Sequence, residues 1–204
     1  MDRGLLLVRG RRDRVLRWVR RGTLPVYVVP GRPWTTLVPA GDSRTMAPYT
    51  GGVTMLAAHP LRVTLRPAIG LWLHDGRAVI TCWRRRLRGG QLWVQWTPGV
   101  GAARVPGMPL ARPSDLAAVT GFRRNGAAPG AIRDLLADPG GTAEEMLTDL
   151  CLLLGLPHAE IIGGTSGASL PRAELVAPAD ASVAGFDKLV ADEHRLATEV
   201  EEGL

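Results

Sequence analysis

The pair Asp75-Gly76, set between the apolar runs "AIGLWLH" and "RAVITCW", constrains this chain more than any other feature. Asp-Gly makes a favoured two-residue hairpin turn, because both positions need a positive φ that Asp and Gly tolerate. With those two residues as the loop, Leu73 faces Ala78, Leu71 faces Ile80 and Ile69 faces Cys82, so one face of the hairpin is wholly apolar. The reverse face carries Trp72, His74, Val79, Thr81 and Trp83, a mixed surface that needs partial cover.

The strand pattern continues on both sides of this hairpin. Residues 5–8 read as a short buried strand, and "RRDRVLRWVRRG" reads as a helix ending at Gly22. Val15, Leu16, Trp18 and Val19 fall on one arc of that helix, and Arg14, Arg17, Arg20 and Arg21 on the opposite one. Residues 26–29 and 34–38 follow as strands across "PGRP", and "APYTGGVTMLAAHP" holds a short second helix. Leu61, Val63 and Leu65 alternate with Arg62, Thr64 and Arg66, the pattern of a half-exposed strand.

A third hairpin is expected in "TCWRRRLRGGQLWVQW", with Gly89 and Gly90 in the turn and Arg84, Arg85, Arg86 and Arg88 at the tip. Its register turns on the loop length. An odd-numbered loop puts Leu92, Val94 and Trp96 on the Ile80 and Cys82 face, whereas an even-numbered loop puts them beside Trp83 and makes the outer face heavily apolar. Tryptophan in a strand is first a packing residue, so the expected role of Trp83, Trp93 and Trp96 is to fill the faces of the sheet.

Beyond Pro98 the chain turns Gly/Pro/Ala-rich, and then helical. "RPSDLAAVTG" is expected to start on a Ser cap, "APGAIRDLLADPGG" to stop at Pro139, and "TAEEMLTDLCLLLGLP" to open with the capping-box pair Thr142 and Glu145. A loosely structured stretch is expected near 163–181. The last segment is an amphipathic helix with Phe186, Leu189, Leu196 and Val200 on one side and acids on the other. Such a stripe is expected to dock at home, and the alternative is a partner.

Charge divides the chain. Residues 1–112 carry 19 arginines against four aspartates, net +15, while residues 113–204 carry 6 basic against 15 acidic residues, net −9. The expected organisation is therefore a basic α+β sheet domain over 1–112 and an acidic, mainly helical region over 113–204. Lys188 is the only lysine among 25 basic residues, the mark of GC-rich bacterial coding as much as of a ligand.

Several chemistries find no pattern here. "GGTSGAS" at 163–169 lacks the lysine of a phosphate loop, and Ser166 lacks the G-x-S-x-G spacing of a nucleophile elbow. His59, His74, His158 and His194 are scattered without metal-ligand spacing, and Cys82 and Cys151 lie in apolar runs where buried thiols belong. No catalytic residue, cofactor or metal is expected. Residues 5–8 are too short an apolar run for a signal peptide, and no window is long enough to span a membrane, so a cytoplasmic protein without membrane association is expected.

The sequence thus predicts an α+β fold, a mainly antiparallel sheet of about seven strands with one or two helices, followed by a helical C-terminal part. The expected function is non-enzymatic protein binding or an adaptor role, through a protein partner or self-association. The partner helix would present Phe186, Leu189, Leu196 and Val200. A nucleic-acid alternative uses Arg14, Arg17, Arg20, Arg21 and Arg84, Arg85, Arg86, Arg88 for phosphates, with Trp83, Trp93 and Trp96 stacking on bases. A second alternative is an enzyme built around Cys82, His74 or Ser166.

Overall fold

Strand β1 (Arg3–Val8) has Leu5, Leu6, Leu7 and Val8 all fully buried, which requires a strand covered on both faces. The computed structural model describes residues 2–85, 90–121 and 128–202, the last seven as backbone alone. In it β1 occupies the middle of an eight-stranded sheet whose paired strands all run antiparallel. Helix α1 (Arg12–Arg20) leads to β2 (Val26–Val29), and β3 (Thr35–Pro39) inserts between β1 and β2. Helix α2 (Gly52–Ala58) precedes the consecutive strands β4 (Ala68–His74), β5 (Arg77–Trp83), β6 (Leu92–Thr97) and β7 (Gly101–Ala103).

Helices α3 (Pro113–Thr120), α4 (Pro129–Ala137) and α5 (Ala143–Leu153) follow, then β8 (Glu174–Val176) and the long α6 (Asp180–Glu202). Strand β8, three residues within the glycine-rich 163–181 stretch, pairs with β2 and forms one edge of the sheet; β7 forms the other. The fold is α+β.

Two cores result, one on each face. Leu5, Leu7, Ile69, Leu71, Ile80, Cys82, Val94 and Trp96 point to the side covered by α3, α4 and α5, with Leu116, Ile132, Leu147 and Leu150 packed against them. Leu6, Val8, Trp72 and Trp83 point to the other side, where Val15, Trp18, Val19 and Leu56 of α1 and α2 meet them. Residues on both sides of position 112 therefore build the first core together.

The Asp75-Gly76 turn holds as expected, with Asp75 at φ 49° and Gly76 at φ 71° and the pairs Ile69–Cys82, Leu71–Ile80 and Leu73–Ala78 in register. The next hairpin pairs Cys82 with Leu92 and Ile80 with Val94, the odd-loop outcome. The mixed reverse face is partly covered, as expected: Trp72 and Trp83 are buried there, Val79 and His74 are half-buried, and Thr81, also buried, accepts a hydrogen bond from Trp72 Nε1 at 3.1 Å.

Two local expectations are corrected. Residues 61–66 are not a strand but carry a 3-10 turn over Val63–Leu65, with Leu65 N–H donating to Arg62 O at 2.9 Å and Arg66 N–H to Val63 O at 3.1 Å. Prolines 60 and 67 bracket the segment and hold the residues before them extended, and the Leu65 carbonyl accepts from Arg9 N–H at 3.1 Å. Ser114 does not cap α3. Arg112 is the N-cap, and its N–H donates to the carboxylate of Asp115 at 3.0 Å, because Pro113 takes the first helical position and moves the start back by two residues.

Candidate functional site

Charge is unevenly placed about the sheet. Helix α1 lies on one face with its apolar arc down, which leaves Arg14, Arg17, Arg20 and Arg21 exposed on the outer side. Helices α3, α4 and α5, which carry most of the acids between 113 and 162, lie on the other. Strand β8 and helix α6 reach the α1 side, where Arg12 pairs with Glu174 and Arg44 pairs with Asp180 at 3.0 Å.

The first turns of helix α6 are attached to the body. Ala179 N–H and the Ser182 hydroxyl both donate to the Arg20 carbonyl, at 2.8 and 3.2 Å, one of the C-terminal carbonyls that α1 leaves without a helical partner. Met46 N–H donates to the Asp187 carboxylate at 3.1 Å, and the ring of Phe186 meets Tyr49 edge-on, with centroids 5.4 Å apart. Val183 is buried beneath the helix and Phe186 half-buried, but Leu189, on the same stripe, is 65% exposed. Beside α6 runs an apolar groove of about 570 Å³, walled by Phe186 and Leu189 on one side and by Met55, Ala58, His59 and Pro60 on the other, with Arg21 at its rim.

His59 lies against the Trp18 ring, with centroids 4.5 Å apart. Burial pushes its pKa down to about 4, partly opposed by a hydrogen bond to the Trp18 backbone, so it lines the groove as a neutral imidazole at physiological pH.

The other expected contact residues separate sharply. Trp83 and Trp96 are buried, 2% and 0% exposed, and Trp93 is half-buried, so the first two are packing residues and unavailable for stacking on a partner's bases. Arg84 is drawn to the nearly buried Asp115 at 2.6 Å, and Arg85 is exposed. Arg86 and Arg88 lie outside the described residues, as do the side chains of Leu196 and Val200.

The groups considered for catalysis do not converge. Cys82 is buried in the sheet core, where burial first and the nearby Asp115 second push its thiol up to about 12. The thiolate needed for nucleophilic chemistry is thus suppressed. Ser166 accepts from Ala168 N–H at the start of a 3-10 turn, and His74 sits at the far hairpin with Nδ1 2.5 Å from Asp2.

Asp2, His74 and Asp75 are the one group of clustered metal-type ligands among the described residues. Both ring nitrogens face carboxylates, the second at 3.7 Å from Asp75, and Asp75 N–H also donates to Asp2 at 3.3 Å, so this exposed cluster ties the start of β1 to the hairpin turn.

Two further clefts carry charge of one sign each. One, of about 780 Å³ where β1 ends, holds Arg9 with its guanidinium 4.5 Å over the Trp34 ring and donating to Thr120 O. The other, of about 810 Å³ beside α5, is lined by Asp138, Glu144, Glu145, Asp149 and Glu160. Neither sets a nucleophile beside a base.

No family model, curated protein or solved structure matches this chain. Sequence reasoning placed the stripe of α6 but missed Arg44, Met46 and Tyr49, which receive it. They belong to the loop "SRTMAPYTGG", where nothing in the spacing of residues sets them apart; the acid at the first position of α6, Asp180, is the one signal that a basic or N–H partner waits there. Among the described residues no helix is long and apolar enough to cross a membrane.

Proposed function

We propose that this chain is a non-enzymatic protein-binding module, an adaptor that engages its partner through α6. The observation that carries this reading is Leu189, 65% exposed on a stripe whose earlier members Val183 and Phe186 are buried and half-buried. A helix that buries part of its apolar stripe at home and carries the rest onward is built as the helix of a helix-in-groove or helix-pair contact. A photo-crosslinking residue substituted for Leu189, activated in the native host, gives discrete heavier adducts if the reading is right. The same residue on the exposed face of α1, in place of Arg14, serves as the control. Absence of any adduct from position 189 overturns the reading.

A second reading, polyanion binding, is supported by the stripe Arg14, Arg17 and Arg21, exposed on the side of the sheet away from α3, α4 and α5. Arginines on a flat helix face neutralise phosphates without reading bases. Fluorescence anisotropy of labelled single- and double-stranded oligonucleotides with the full chain tests it. Binding whose logarithm falls steeply with the logarithm of salt, and which Arg14→Glu with Arg17→Glu abolishes, supports it; no binding at low salt removes it.

A further inference from the structure

The sheet ends at β7, and no strand pairs with its outer side among the described residues. Ala102 and Ala103 are exposed and too short to screen that backbone from another strand. Where β7 stops, the chain turns out and returns to bond with β6 in its place: Trp93 N–H donates to Pro109 O at 2.8 Å, and Ala111 N–H to Trp93 O at 2.9 Å. Beside these two pieces of edge opens a pocket of about 310 Å³, with Val94, Leu110 and Leu136 among its lining, large enough to hold an apolar side chain.

Charge at this pocket is of one sign. Arg104 after β7, Arg112 at the start of α3 and Arg133 on α4 line it and are exposed, and no acid lines it. None of the three pairs with an acid side chain among the described residues, and Asp115, three residues beyond Arg112, is buried and paired with Arg84. Arg104 Nε donates to the Met108 carbonyl at 3.3 Å, which leaves the other N–H groups of its guanidinium for a ligand. Val100 before β7 and Met108 and Leu110 after it are exposed, so the apolar surface extends past the pocket. A small ligand would fill the pocket and leave that surface and the backbone edge uncovered. An extended peptide covers all three.

We propose that this edge binds an extended acidic peptide of a partner protein, which adds alongside β7 and seats one apolar side chain in the pocket while carboxylates on either side of it meet Arg104, Arg112 and Arg133. Side chains alternate along an extended strand, so the residues two before and two after the seated one point to the same side. The fitting sequence is therefore acid, any residue, large apolar residue, any residue, acid. Arginines at an edge deter a second basic edge by charge, and this occupant carries the opposite charge. The surface lies at the end of the sheet opposite β8, the strand that leads into α6, and gives an adaptor a second arm separate from that helix.

Selection of random short peptides, displayed on phage, against the purified full chain tests it. Enriched peptides are expected to carry that spacing of acids about an apolar residue. Fluorescence anisotropy of a labelled enriched peptide then gives binding that Arg104→Glu with Arg133→Glu weakens by at least about tenfold and that Leu189→Asp leaves unchanged. Circular dichroism and thermal melts show that each variant is folded, and the milder pair Arg104→Gln with Arg133→Gln replaces the glutamates if they unfold the chain. No enrichment, enriched peptides without the acids, or binding indifferent to the arginine changes overturns the inference. Peptides lost with Leu189→Asp instead overturn it and leave α6 as the contact. Octanoate, a small apolar carboxylate, that binds in calorimetry through the same arginines while no peptide is selected overturns it in favour of a small-ligand pocket.

Discussion

The indole of Trp72 occupies the space that a side chain at Gly70 would need: a Cβ there would stand 2.4 Å from Trp72 Nε1 and 2.5 Å from the Thr81 hydroxyl. The two residues are neighbours on one face of β4, and glycine is what lets the indole fold back along the strand to donate to Thr81. Gly70→Ala is expected to destabilise the fold by about 2 kcal/mol or more, as overpacked cores do. Denaturant melts measure it. The cost falls when Trp72 is already Phe, since indole atoms form the nearest obstacle; an equal cost in both backgrounds would assign the clash to Thr81 instead.

Asp115 serves two structures at once. Its carboxylate accepts from Arg112 N–H at the start of α3 and pairs with Arg84 at the end of β5, so it fastens a helix of one face to the edge of the loop after the sheet's second hairpin strand. Asp115→Ala leaves an N–H and a guanidinium without their acceptor and is expected to cost about 2 kcal/mol. Asp115→Asn keeps an acceptor for the N–H and costs less. Equal losses for the two variants would mean that charge, and not the cap, carries the contribution.

Both cysteines are fully buried, and burial pushes each thiol up to about 12. Neither is expected to react with an aromatic disulfide reagent at mildly alkaline pH in the folded protein, and both react at once in denaturant. Fast reaction of one thiol under native conditions would place it in an accessible site and reopen covalent chemistry at that position.

How much of this was legible in the sequence depended on whether a local signal decided the question. The β4–β5 register was, because Asp75-Gly76 fixes the loop at two residues and the alternation then has no freedom. Thr142 was as well: its hydroxyl accepts from Glu145 N–H at 3.1 Å, and the Glu145 carboxylate accepts from Thr142 N–H at 2.8 Å and from the Thr142 hydroxyl at 2.9 Å, the two bonds that hold that carboxyl below its ordinary range. The β5–β6 register was not, since a loop containing "RRRLRGG" can hold either parity, and only burial of Trp96 against the α3–α5 layer selects one. Residues 61–66 alternated like a strand, yet the flanking prolines prevailed over the alternation. Strand β8 was too short at three residues to carry a period. The docking loop for α6 had no signal of its own, because Tyr49 and Met46 acquire a role only when the fold brings Phe186 and Asp187 to them.

His59 gives the fold a calculable response to acid. Its pKa is about 4 in the folded chain against 6.5 when free, because the site beside Trp18 and the α6 groove excludes water from the imidazolium. Between those values the unfolded chain binds a proton that the folded chain refuses, so stability is full above about pH 6.5, falls as pH drops through that window, and loses nothing more from this group below about pH 4. The whole loss is about 3 kcal/mol, since each pH unit between the two values costs ~1.4 kcal/mol. His59→Gln, which keeps a polar side chain of similar reach but cannot take up a proton, is expected to flatten the difference in unfolding free energy between pH 6.5 and pH 5, where carboxylates contribute least. Parallel pH profiles for the wild type and the variant would show that the imidazole is solvated and that the groove beside it is open to water.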